Sequence, residues 1–60
     1  MTVSFEFKAL NGCDPVIEHY IEIDMCRYYF SHGRIYLKLY KNTSEVCIDL
    51  SGVKSFLIDD

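Results

Sequence analysis

Three cysteines and two histidines are the side chains best suited to chemistry in this 60-residue chain. Cys13, His19, Cys26, His32 and Cys47 carry the thiolate and imidazole donors that zinc prefers. Their spacing argues against a site, because no Cys-x-x-Cys pair brings two donors onto one turn as structural zinc ligands require. We therefore expect no metal and no cofactor. The odd number of cysteines follows an amino end, Met1-Thr2-Val3-Ser4-Phe5-Glu6-Phe7-Lys8, that lacks the cationic start and apolar run of a secretory signal. Reduced thiols and a cytoplasmic location are expected, with Cys26 as a small apolar core residue and Cys13 and Cys47 as ordinary thiols. Asn42-Thr43-Ser44 then reads as a polar turn rather than a glycan acceptor.

Nucleophilic catalysis needs a Cys or Ser beside a base that a third group orients. The three glycines form neither a phosphate-binding loop nor a nucleophile elbow. The reading is non-enzymatic, and His19, on the apolar parity of its segment, is expected to be a hydrogen-bonded, partly buried side chain.

Binding chemistry is better represented. Glu18, Tyr20, Glu22 and Asp24 alternate with Ile17, His19, Ile21 and Ile23, which predicts an acidic face centred on Tyr20. A second face carries Tyr29, Tyr36 and Tyr40 with Arg27 and Lys38. Tyr supplies rigid area with a polar tip and is enriched at the energetic centres of interfaces. The candidate partner-binding residues are thus Glu18, Tyr20, Glu22, Tyr29, Tyr36, Lys38 and Tyr40. A net charge of −3 argues against a duplex DNA binder that works by neutralising phosphates and favours a partner with a basic surface. The expected function is a small protein-binding regulator or inhibitor that covers a surface of a larger protein. Alternatives are a structural accessory protein that forms homo-oligomers, a homodimer first, and a single-stranded nucleic-acid binder or acidic nucleic-acid mimic.

The elements that must position these residues follow from periodicity. A chain of this length is one domain, residues 1–60, and buries only roughly 60% of the surface its unfolded state exposes. Half its residues are hydrophobic and 15% are aromatic, which favours folding over disorder. No stretch is long and apolar enough for a membrane-spanning helix, so no membrane association is expected. Residues 3–9 alternate as a half-buried strand, and Asn11-Gly12-Cys13-Asp14-Pro15 collects turn formers. His32-Gly33 is a two-residue hairpin loop that would place Phe30 opposite Ile35, Tyr28 opposite Leu37 and Cys26 opposite Leu39 on one core face. Strands are further expected at 45–50 and 53–58.

Residues 15–31 carry a conflict. Asp14, Pro15 and Gly33 frame a helix, but the β-branched and aromatic interior reads as strand. In the strand reading, the apolar parity changes from odd at Ile23 to even at Cys26, as an extra residue near Asp24 and Met25 would cause. The expected architecture is all-β, a small antiparallel meander or curled barrel-like sheet of five to six strands. The alternative is α+β, with a helix at about 15–31 on a three- to four-stranded antiparallel sheet.

Overall fold

A computed structural model describes residues 1–60. Six strands form: β1 (Thr2–Phe7), β2 (Ile17–Tyr20), β3 (Met25–Ser31), β4 (Arg34–Lys41), β5 (Ser44–Asp49) and β6 (Val53–Asp59), with one 3-10 turn at Leu50–Gly52. They assemble into two three-stranded antiparallel sheets, β2-β1-β6 and β3-β4-β5. The protein is all-β as the alternation required, and the helical alternative fails because residues 15–31 hold β2, a crossover and β3. The sheets remain open and do not close into a barrel. They also break the expected meander, since β6 returns to pair with β1 while β2 and β3 lie in different sheets.

The β3–β4 hairpin has the register its sequence specifies, with Phe30 on Ile35, Tyr28 on Leu37 and Cys26 on Leu39. His32 and Gly33 take φ of 52° and 72°, the two positive values that match a two-residue loop to strand twist. Asn42, with φ of 53°, serves the β4–β5 turn in a similar way. At the start of β3 the Asp24 N–H reaches the Tyr40 carbonyl at 2.8 Å, beside the Met25–Tyr40 pair. The expected bulge in one long strand is corrected: Tyr20 of β2 and Cys26 of β3 both turn inward at even positions, and the two strands belong to different sheets joined by a crossover that holds Ile23.

Six apolar residues are buried: Val3 and Phe5 from β1, Leu37 and Leu39 from β4, Ile48 from β5, and Ile23 from the crossover. The central strand of each sheet thus supplies two. Phe5 is the hub, with ring centroids 5.7 Å from Tyr20, edge to face, 5.9 Å from Phe56 and 6.0 Å from Phe7.

Two parts of the expected core are corrected. Tyr28, Phe30 and Ile35 lie on the core side of their hairpin, yet they are 59%, 70% and 45% exposed. Leu37, the partner of Tyr28, is 2% exposed, so Tyr28 is uncovered because β3 is the lateral edge of its sheet, while Phe30 and Ile35 flank the hairpin turn. In β2 the parity is inverted. The register Val3↔Tyr20 turns Tyr20 inward, leaving Ile17 and His19 on the outer face. A one-residue slip exchanges every side chain of a strand between faces, and β2, short and at an edge, is set by the fit of the Tyr20 ring beside Phe5. No helix is long and apolar enough to cross a membrane.

Phe5→Ala should lower unfolding free energy by about 3–5 kcal/mol in a denaturant titration. Leu10→Ala, at a site 76% exposed, should stay within about 0.5 kcal/mol of the parent.

Candidate binding surface

Strand alternation sends the odd residues of β3 away from the core, and the register extends that outer face over β4 and β5. It places Arg27 opposite Lys38, Tyr29 opposite Tyr36 and Met25 opposite Tyr40, with Glu45, Cys47 and Asp49 beyond. The Tyr29 and Tyr36 rings pack at 6.1 Å with a 45° tilt. Lys38 lies across this pair, its Nζ 4.2 Å from the Tyr29 ring centroid and 3.8 Å from the Glu45 carboxylate. Its side chain is only 19% exposed, so the ammonium is held against ring and carboxylate. Of the sequence candidates, Tyr29, Tyr36, Lys38 and Tyr40 therefore form one surface.

Arg34 and Asp49 border it with a 2.9 Å ion pair. Asp49 also accepts the Ser51 N–H at 2.9 Å and so caps the 3-10 turn. That backbone hydrogen bond, then the Ser51 hydroxyl and only after it the Arg34 guanidinium, holds the Asp49 carboxyl below its usual value. An exposed pair of this kind contributes little to stability, and its role is to fix the border.

The expected acidic face is not assembled. Tyr20 packs inward and donates a long 3.4 Å hydrogen bond to Glu18, whereas Glu22 sits in the crossover at φ 57°. Asp24 accepts the Asn42 N–H at 2.8 Å and braces the β4–β5 turn. Burial, then the charge and hydrogen bond of Glu18, raise the Tyr20 phenol above its ordinary value.

The groups with donor chemistry are scattered. His19, exposed on the outer face of the first sheet and not partly buried as its parity implied, shares a 2.7 Å hydrogen bond with Ser4. His32 does the same with Ser31 at 2.8 Å. All three cysteines are free, and no three His, Cys, Asp or Glu side chains converge on a point. An open groove of about 670 Å³ beside the hairpin turn is lined by His32, Gly33, Arg34, Ile35, Leu50 and Ser51. Sequence reasoning missed the exposed ledge of Tyr28, Phe30 and Ile35. No sequence signal pointed to it, because alternation assigns a face and not whether the opposing sheet reaches the edge strand.

Compared with protein-family models, with curated proteins and with solved structures, the chain matches none.

Two titrations check the electrostatics. Tyr20 should ionise above its usual value of 10.0, and Glu18→Gln should move its absorbance midpoint part of the way back. Its raised value favours the folded state fully below pH 10 and loses that effect as pH climbs through the raised midpoint. For Asp49 the sign reverses. Its carboxyl should titrate below 3.8 by NMR, holding its contribution above that pH and losing it in acid, and Asp49→Asn should remove that limb of the stability profile.

Proposed function

We propose that this protein is a non-enzymatic binding module that covers a surface of a larger protein through the outer face of β3, β4 and β5. The observation that carries this reading is the ordered Tyr29–Tyr36 pair under Lys38. Rings already packed against each other and a lysine already restrained lose little conformational freedom when a partner arrives. Tyr36 and Tyr40 are half-buried at their bases, and Tyr29 remains 41% exposed, so the platform offers area without being loose.

Charge refines the type of contact. Arg27, Arg34 and Lys38 share the face with Glu45 and Asp49, so it is nearly balanced although the chain carries −3. The surplus carboxylates, Glu18 and Glu22 among them, lie elsewhere and would meet the basic part of a partner only at the rim. Ring burial, rather than charge mimicry, then dominates binding. A reducing compartment such as the cytoplasm suits three free thiols.

Tyr29→Ala combined with Tyr36→Ala should weaken capture of the partner from native-source extract by more than about 100-fold, at about 2 kcal/mol for each ring. Circular dichroism should show the fold retained, because neither ring belongs to the core cluster. Recovery equal to the parent in quantitative mass spectrometry would sink this reading. A steep fall of binding with salt would favour an acidic nucleic-acid mimic instead.

A further inference from the structure

The four edge strands are not equally protected against pairing with another chain. Natural edges are blunted by brevity, charge or proline. The β2 edge has four residues with Glu18 among them, β5 carries Glu45 and Asp49, and β6 carries Lys54 and Asp59. β3 is seven residues long and has a single charge, Arg27.

The unused backbone groups of β3 can be assigned. A two-residue loop makes its flanking pair, Ser31 and Arg34, a mutually hydrogen-bonded pair. Alternation then directs the N–H and C=O of Ser31, Tyr29, Arg27 and Met25 toward β4. Those of Cys26, Tyr28 and Phe30 point out of the sheet. None of these three takes part in any backbone hydrogen bond outside the sheet ladders. The same three residues place their side chains on the apolar side, where Tyr28 and Phe30 are 59% and 70% exposed. Free donors, free acceptors and uncovered rings therefore coincide along one edge.

We propose that this edge pairs with β3 of a second copy, antiparallel about a two-fold axis at Tyr28, to join two β3-β4-β5 sheets into one of six strands. The register follows from the outward groups. Centring on Tyr28 sets Tyr28 on its own copy and Cys26 on Phe30 of the second copy, which engages all three outward residues of each strand. Arg27 then faces Tyr29 of the second copy, a cation beside a ring. Moving the axis to Arg27 would oppose like charges. Moving it to Tyr29 would leave Cys26 opposite the His32 turn.

Phe30 gains more than a strand neighbour. The Cys26 thiol lies 3.9 Å from the Met1 sulfur, so the ring of one copy meets a sulfur-rich edge on the other. Burying the exposed parts of four such rings removes on the order of 400–600 Å² from water. With the paired strands and the adjoining Ile35 side chains, the contact reaches the order of 1,000 Å² that a specific interface needs. The rings this dimer buries lie on the opposite side of the sheet from the proposed tyrosine platform, which it touches only where Arg27 meets Tyr29 at the edge.

Sedimentation of the full chain should show a concentration-dependent species of twice the 7.0 kDa protomer mass. Tyr28→Pro removes an outward N–H and Phe30→Asp charges the ledge, and each should raise the dimer dissociation constant at least 100-fold with the β-sheet circular dichroism retained. In a Cys13→Ser, Cys47→Ser background, mild oxidation should cross-link Tyr28→Cys and leave Tyr29→Cys monomeric on a non-reducing gel. A protomer-mass species at millimolar concentration, a dimer indifferent to both edge variants, or cross-linking only through Tyr29→Cys would overturn the proposal. None of these results depends on partner capture by the platform.

Discussion

The crossover between the sheets is the constraint on which the fold depends. At Ile23 the chain leaves the first sheet, and Ile23 exchanges two backbone hydrogen bonds with Met1, both of 2.8 Å, while its side chain is 5% exposed. One residue later Asp24 reaches the second sheet through the Tyr40 carbonyl and the Asn42 N–H. Both sheets are thereby fixed to two successive residues of the chain, Ile23 and Asp24. A 60-residue protein has little area to spare, so the apposition of Val3 and Phe5 to Leu37, Leu39 and Ile48 must be set accurately. The crossover sets it, with Glu22 taking the positive φ that lets the chain turn between layers.

Sequence alone reveals most where local rules and tertiary structure agree. The β3–β4 hairpin is such a case: loop chemistry and alternation imply one register, even though it sets Arg27 opposite Lys38. The apparent change of parity near Asp24 marks instead the place where the chain passes from one sheet to the other. β2 was not legible. Its Ile17, His19 and Ile21 alternate as convincingly as Val3, Phe5 and Phe7, yet Tyr20 and not isoleucine faces Phe5. Alternation gives the period of a strand and not which phase is inward, and that choice belonged to the neighbouring sheet. The candidate surface divided accordingly. Tyr29, Tyr36, Lys38 and Tyr40 inherit a secure register and stay together, while Tyr20 turns inward with Glu18 hydrogen-bonded to it and Glu22 is carried away in the crossover.

Strand β3 shows how much a short chain can place on one element. Its odd residues contribute to the tyrosine platform, its even residues set Tyr28 and Phe30 on the uncovered margin of the apolar face, and its backbone edge is unoccupied. The margin arises because β3 is the lateral edge of its sheet: Leu37, one strand further in, is buried.

The pairing of β1 with β6 also orders events in time. Residues 25–49 form a meander of neighbouring hairpins, whose contacts close short loops, whereas Thr2 must find Asp59. During synthesis β1 emerges first and has β2 for company, but Phe5 lacks Phe56 until β6 appears. The second sheet can acquire its hairpins early. The first waits with its most buried strand half paired, and consolidation of the whole core is therefore a late step governed by the arrival of β6.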